Sequence, residues 1–233
     1  GTSFRRKFWM TDHNSRNRPP ASSLRLRVLF ELGILATLTP LFLHYAPRDL
    51  GLYVAMALLF LGFVAVGAKE TKERIWDRPA SGKSERLWRS TRAMVVMTIP
   101  VVIVFFVWGV WMDHEVSYRN LLLALGVYIP WALLQQTIFQ FYLLGRLRAL
   151  LPFVSPILLA LVAGTAYGLV HLPDWRVTLV TMLAGVAWSY FYLRDRHILP
   201  IAMSHVILGS TFYYFVIGRD LIDEHLGQFS NWL

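Results

Sequence analysis

The sequence predicts an all-α membrane protein, a polytopic transmembrane helical bundle with about seven spans. Hydrophobic residues make up 56% of the 233 residues, the mean hydropathy is +0.47, and basic residues lie in short stretches between apolar runs. A soluble domain carries about 45–50% apolar residues, so the excess indicates a lipid environment. The net charge of +9 then favours anionic lipid and membrane topology as its explanation, and not nucleic acid.

Seven apolar runs approach the ~20 residues that a bilayer span requires. In chain order they are 28–46, 50–68, 93–112, 121–144, 152–170, 177–193 and 198–217. Together they define a transmembrane domain over 28–217, between a basic N-terminal tail (1–27) and a C-terminal tail (218–233). Residues 69–92 are interpreted as a cytoplasmic, amphipathic connection, although a solvated loop explains them equally well. The sequence leaves open whether residues 1–9, which precede Met10, are native.

The distribution of positive charge supports this topology. If the N-terminus is cytoplasmic and the spans alternate, 19 of the 23 Lys and Arg residues lie in cytoplasmic segments. The other four are Arg48, Arg119, Arg176 and Arg219. Every loop therefore obeys the positive-inside rule. We expect a bacterial inner (plasma) membrane protein with a cytoplasmic N-terminus and an extracytoplasmic C-terminal tail.

Polar side chains at membrane depth are costly, so they mark candidate functional sites. The fourth run contains Gln135, Gln136 and Gln140, and the last two share a helix face because they are four residues apart. His171 follows the fifth run, and His205 lies in the seventh. Hydrogen bonding between helices is the structural alternative for all of them. Two histidines and a glutamine cluster on three runs favour a shared site, which requires a tilted or broken helix.

Three further residues have a structural interpretation beside a functional one. Gly164 and Gly168 form a small-xxx-small pair that permits close approach of helices. Glu31 is a carboxylate near the cytoplasmic edge of the first run. It is predicted either to line the candidate cavity or to pair with an Arg at the interface. The chain has no Cys, which excludes thiol catalysis, disulfides and cysteine metal sites.

The motifs resemble those of the CAAX protease and bacteriocin-processing family, also called CPBP or Abi, which includes intramembrane endopeptidases that trim prenylated CAAX proteins. That family carries EExxxR on one span, FxxxH on the next and HxxxN two spans later. In this chain QQTIFQ, Tyr167–His171 and His205–Gly209 occupy the corresponding positions. The resemblance covers roughly residues 131–209. It implies a CPBP-like core over 121–217, in the last four spans, with Tyr167 lining its cavity.

The chain departs from the family pattern at the charged positions. The resemblance places the family glutamates on Gln135 and Gln136, the arginine on Gln140 and the asparagine on Gly209, whereas His171 and His205 are retained. In the family, a glutamate with the first His is thought to activate water, and the second His with the Asn to stabilise the oxyanion. A glutamine amide cannot accept the proton, and losing one oxyanion donor costs ~2.7–4 kcal/mol in barrier. The resemblance therefore implies a pseudoenzyme.

Three functions remain open at this point. The first is a membrane scaffold, assembly factor or accessory subunit of a complex with a membrane-protein partner. The second is a divergent active endopeptidase, of the CAAX or the bacteriocin-processing type, that uses His171 and His205 with Glu31 as a relocated carboxylate. The third is a degenerate cavity that binds a lipid, quinone or pigment. No other cofactor is predicted, and two histidines without two further ligands do not predict a metal site.

Overall fold

The computed structural model describes residues 26–34, 37, 55, 58–62, 64–65 and 83–223, and all regular structure in these residues is helical. Residues 26–34 and 58–62 are helical. The α-helices that follow are α1 (Lys83–Trp111), α2 (Tyr118–Gln136), α3 (Leu144–Leu150), α4 (Pro156–Leu169), α5 (Trp175–Asp195) and α6 (Ile198–Thr211). A π-helical segment, Thr137–Leu143, joins α2 to α3, and a second, Phe212–Ile217, follows α6.

Four helical stretches among the described residues are long and apolar enough to cross a membrane. They are Ser84–Trp111, Tyr118–Leu150, Trp175–Asp195 and Ile198–Ile217. These stretches contain the third, fourth, sixth and seventh predicted spans or most of their residues. The chain is therefore an integral membrane protein built as a helical bundle. The first two predicted spans, 28–46 and 50–68, lie mostly outside the described residues, so the total of about seven stays a prediction.

The fifth predicted span, 152–170, is shorter in the structure. Its helix α4 has 14 residues, fewer than the ~20 that cross a bilayer without tilt. Ser155 caps α4, because its Oγ accepts the backbone N–H of Leu158 at 3.3 Å, and Pro156 occupies the first helical position. A serine cap followed by proline is a strong helix start. The apolar residues before Ser155 consequently lie outside the helix.

Contacts divide the chain into two compact units. Unit 1 comprises Gly1–Lys72 and Phe139–Tyr190, and unit 2 comprises Glu73–Ile138 and Phe191–Leu233. In unit 2, α6 packs against both α1 and α2. The buried hydroxyl groups of Thr98 on α1 and Ser204 on α6 share a hydrogen bond of 2.8 Å.

The segment Phe212–Ile217 continues the packing of α6 on α1 and then ends abruptly. It stops at Gly218, whose φ of 70° is left-handed and suits a residue without a Cβ. Just beyond, Asp220 accepts hydrogen bonds from Tyr214 Oη (2.6 Å) and Asn120 Nδ2 (2.8 Å). Burial acts to raise the pKa of Asp220, but hydrogen bonds from these two side chains and from backbone amides outweigh it, so the pKa is lowered. The carboxylate thereby ties the end of this unit to the start of α2.

In unit 1, α4 lies in close contact with α5 at two glycines. A Cβ on Gly164 would collide with the backbone nitrogen of Val186. A Cβ on Gly168 would lie 2.7 Å from the carbonyl oxygen of Thr178 and 2.6 Å from Cβ of Met182. Because the obstructing atoms at both positions include α5 backbone, the helices could accept a larger residue only by separating. The predicted small-xxx-small contact is confirmed.

We therefore expect Gly164→Ala to lower the free energy of unfolding by ~1–3 kcal/mol, the usual cost of overpacking. The measurement is the thermal unfolding midpoint of the detergent-solubilised protein. Gly126→Ala on α2 is the matched control, since nothing lies within 4 Å of a Cβ added there. Equal midpoints for the two variants would contradict the close contact of α4 and α5.

Candidate functional site

In unit 2, His205 lies between two side chains of α2. Nδ1 of His205 is 3.2 Å from Nε2 of Gln136, which is fully buried. On its other side, Nε2 of His205 is 3.1 Å from the hydroxyl oxygen of Tyr128. The Tyr128 and His205 rings meet edge to face, with centroids 5.3 Å apart. Tyr128 and Gln136 are eight residues apart, which brings both to the side of α2 that α6 packs against.

These contacts fix the proton on the imidazole of His205. An amide nitrogen only donates hydrogen bonds, so Gln136 Nε2 donates to Nδ1, and the ring proton of a neutral His205 is on Nε2. That proton points at the hydroxyl oxygen of Tyr128. Both ring nitrogens therefore have protein partners, and accepting a proton from a water would require breaking the bond to Gln136.

Tyr128 also covers the position of Gly209 on α6. A Cβ built on Gly209 would lie 2.9 Å from Cε1 of the Tyr128 ring and 3.5 Å from its hydroxyl oxygen. Any larger side chain at position 209 must displace the ring, and displacement would strain the hydrogen bond to His205. The sequence prediction did not include Tyr128. Its eight-residue spacing from Gln136 was the available signal, but aromatic residues on membrane helices are too common for that spacing to single it out.

In unit 1, His171 lies in the turn that follows α4. Its Nδ1 is 3.0 Å from the carbonyl oxygen of Tyr167 and 3.3 Å from Oγ1 of Thr181. Burial lowers the pKa of His171, although hydrogen bonds from the imidazole to the backbone carbonyls of Tyr167 and Gly168 act to raise it. Tyr167 is fully buried, and its ring packs against Phe139 and Trp188. His171 is thus partly buried, and its burial favours the neutral imidazole over the charged one.

The three glutamines occupy different environments. Gln135 is half-buried in the last turn of α2. Gln140 lies in the π-helical segment Thr137–Leu143 and is fully buried. Neither polar atom of its amide has a hydrogen-bond partner within the described part of the chain. Single π turns often occur at functional sites, because they change the direction of the side chains that follow.

Glu31 forms a buried ion cluster in unit 1. Its Oε1 accepts from Nε of Arg27 at 3.1 Å, while its Oε2 lies 3.0 Å from Nε of Arg146 and accepts from the hydroxyl of Tyr142 at 2.6 Å. Arg146 is 1% exposed. Since donors occupy both carboxylate oxygens, activation of a water by Glu31 would require breaking this cluster. The position of Glu31 in a catalytic cavity stays a prediction.

The predicted site residues therefore belong to two sets. Unit 2 contains Gln135, Gln136, His205 and Gly209, and unit 1 contains Glu31, Gln140, Tyr167 and His171. Gln136, His205 and Gly209 meet around Tyr128 in unit 2. Tyr167 and His171 meet in unit 1, with ring centroids 5.7 Å apart.

Residues 117–211 match a family model, Rce1-like, described as type II CAAX prenyl endopeptidase Rce1-like. This region is fewer than half of the 233 residues, and the match supports a resemblance of this part of the chain to the CAAX protease and bacteriocin-processing (CPBP) family. The matched region contains every motif position from Gln135 to Gly209, which confirms the predicted resemblance. No curated protein and no solved structure matches the chain.

The geometry at Gly209 bears on the motif resemblance. The resemblance predicts that position 209 corresponds to the family's asparagine, and in the structure the ring of Tyr128 covers the glycine found there. The hydroxyl of Tyr128 contacts the histidine of the same motif. One aromatic side chain thus takes both the space and a hydrogen bond beside the retained His205.

We expect Gly209→Asn alone to destabilise the protein by ~1–3 kcal/mol, because the new side chain meets the Tyr128 ring. Combining it with Tyr128→Ala should give less destabilisation than the sum of the two single changes, with a coupling of at least ~0.5 kcal/mol. Chemical or thermal unfolding of all four proteins measures this cycle. Tyr118→Ala, at an exposed tyrosine of the same helix, is the control and should show no coupling. Additive effects of Gly209→Asn and Tyr128→Ala would contradict the contact.

Proposed function

We propose that this CPBP-type membrane protein lacks the family's glutamate-dependent peptidase activity and acts as a scaffold, assembly factor or accessory subunit of a membrane-protein complex. The observation that carries the proposal is His205, held between the Gln136 amide and the Tyr128 hydroxyl above Gly209. This arrangement is neutral and hydrogen-bonded at both ring nitrogens. It stabilises helix packing but offers no base for water.

The chemistry that is lost can be estimated from general magnitudes. A positioned general base contributes roughly 10²–10⁴-fold to a rate, and one oxyanion donor contributes roughly 10²–10³-fold. Glutamine cannot replace a carboxylate as a base, and glycine offers no side-chain donor. The imidazole of His171 could accept a proton, but Glu31, the carboxylate considered as its partner, is already bound by Arg27 and Arg146. The contacts within each unit favour packing over hydrolysis.

The accessory role is supported by what the chain retains. Amides at positions where the family carries two carboxylates and an arginine avoid ions whose desolvation is costly, and the helices still pack through hydrogen bonds. A buried amide such as that of Gln136 stabilises contacts between helices in lipid. A scaffold requires this packing of helices but does not require the charged side chains of a peptidase site. Membrane lipids and a membrane-protein partner are the binding partners that we propose.

A cleavage assay tests the loss of activity. The full chain in proteoliposomes is incubated with a quenched fluorescent, farnesylated CAAX peptide, beside an active CPBP peptidase as positive control. We expect no cleavage above protein-free liposomes. We expect Gln136→Glu to remain inactive too, because Gly209 and Tyr128 are unchanged. Cleavage by the wild-type chain that disappears in His171→Ala or His205→Ala would overturn the proposal.

The accessory role requires a separate test in the native host. We expect a membrane protein to co-purify with the chain in a fixed ratio and to decline in abundance when the chain is deleted. A His171→Ala variant that accumulates normally should restore the partner as fully as the wild type does. Failure of this variant to restore the partner, or the lack of any partner in fixed ratio, would contradict the role.

We also propose that the N-terminus is cytoplasmic and that the membrane is the bacterial inner membrane. This orientation places 19 Lys and Arg residues in cytoplasmic segments and four in extracytoplasmic ones. Because the chain has no Cys, single cysteines report topology without background. Glu115→Cys, between α1 and α2, should react with a membrane-impermeant maleimide on intact cells, whereas Ser84→Cys at the start of α1 should react only after lysis. The opposite pattern would overturn this orientation.

A further inference from the structure

At one end of unit 2, two arginines share a single buried carboxylate. Arg89 in the first turns of α1 places Nε at 2.7 Å and Nη2 at 2.6 Å from Oδ1 of Asp195. Arg194 places Nε at 2.9 Å and Nη2 at 2.6 Å from Oδ2 of the same residue. The two guanidinium groups therefore bind opposite oxygens of one carboxylate. The cluster joins the start of α1 to the end of α5 and carries a net charge of +1.

The charges of this cluster are unequally exposed. The Asp195 side chain is 0% exposed, whereas those of Arg89 and Arg194 are 46% and 32% exposed. Each guanidinium uses two of its five N–H groups on Asp195, which leaves about three donors on each for other acceptors. The buried anion thus holds two cations side by side at the surface.

Stabilising the buried carboxylate does not by itself require two arginines. One guanidinium already neutralises a carboxylate and binds both of its oxygens in the usual fork geometry. The second leaves an uncompensated positive charge beside the first. At the other end of α5, Arg176 and Asp174 form a one-to-one pair, 3.7 Å apart and about equally exposed. That pair has no excess charge, which distinguishes it from the Asp195 cluster.

The cluster lies where the apolar stretches of α1 and α5 begin and end, the level at which phospholipid headgroups meet a membrane protein. Aromatic residues typical of this level surround it. Trp88, next to Arg89, is 68% exposed. The guanidinium of Arg194 stacks 4.8 Å from the Phe191 ring centroid.

We propose that Arg89 and Arg194 form a binding site for the phosphate of an anionic phospholipid headgroup, with Asp195 as the buried residue that positions them. A phosphate oxygen between the two guanidinium groups accepts charge-assisted hydrogen bonds from both. The site prefers anionic over zwitterionic lipid because a choline headgroup compensates its own phosphate. This site is independent of the peptidase motif and of the accessory role proposed above.

Binding to the detergent-solubilised full chain tests the proposal, by native mass spectrometry and by the shift in unfolding temperature. Short-chain phosphatidylglycerol, short-chain phosphatidylcholine and inorganic phosphate are titrated separately. We expect phosphatidylglycerol to bind most tightly, and Arg89→Gln and Arg194→Gln each to weaken it ~5-fold, the effect of one basic residue near an anionic surface. Arg176→Gln is the matched control and should leave binding unchanged.

Three outcomes would overturn the proposal. These are equal binding of the two lipids, equal weakening by Arg176→Gln, or inorganic phosphate that binds as tightly as phosphatidylglycerol, which would make free phosphate the ligand. If either arginine variant fails to fold, Arg194→Lys provides a second test, because lysine keeps the positive charge but lacks the planar set of donors that a guanidinium offers a phosphate. Phosphatidylglycerol should then bind more weakly than to the wild type, and unchanged binding would contradict the site.

Discussion

Ser204 and His205 are neighbours on α6, and each forms hydrogen bonds with a different helix. Ser204 bonds to Thr98 on α1, and His205 bonds to Gln136 and Tyr128 on α2. In a membrane, a polar side chain at depth must find its partner within the protein, and such bonds are worth ~0.6–2 kcal/mol. Because the two residues point to different helices, turning or sliding α6 would break both sets of bonds. The orientation of α6 in turn determines where Phe212–Ile217 and Asp220 lie.

Much of the fold could be predicted from the sequence, because lipid imposes simple rules. The lengths of the apolar runs and the positions of the charged residues predicted the locations of α1, α2, α5 and α6 closely. The short length of α4 could have been predicted, because Ser155 followed by proline is a local signal for a helix start, although hydropathy averaged over a window does not detect it. The π-helical segment after Gln136 could not have been predicted, because it depends on tertiary packing and not on local helix propensity.

The candidate site was harder to predict than the fold. Motif spacing found Gln136, His205 and Gly209, and the structure joins them through Tyr128. Nothing in a single sequence says which of many aromatic residues on a membrane helix faces a neighbour. The pairing of Glu31 with Arg146, 115 residues apart, is equally nonlocal. Spacing in the sequence identifies residues that are neighbours on one helix, whereas the two members of each of these pairs lie on different helices.

Glu31 and Asp195 have similar surroundings, one in each unit. Each is a buried carboxylate bound by two arginines, Arg27 with Arg146 in one case and Arg89 with Arg194 in the other. Removing both arginines from such a cluster would leave an uncompensated buried carboxylate, which costs more than the intact cluster contributes. The carboxylates therefore fix helix ends that apolar packing alone would leave free to slide.

The contact between Tyr128 and Gly209 also has a consequence for evolutionary history. Introducing asparagine at position 209 by a single mutation brings the new side chain against the tyrosine, and removing the tyrosine first takes a hydrogen bond from His205. Either first step is expected to lower stability. Selection acts on each mutation separately, so the packing of Tyr128 on Gly209 opposes the appearance of an asparagine here one mutation at a time.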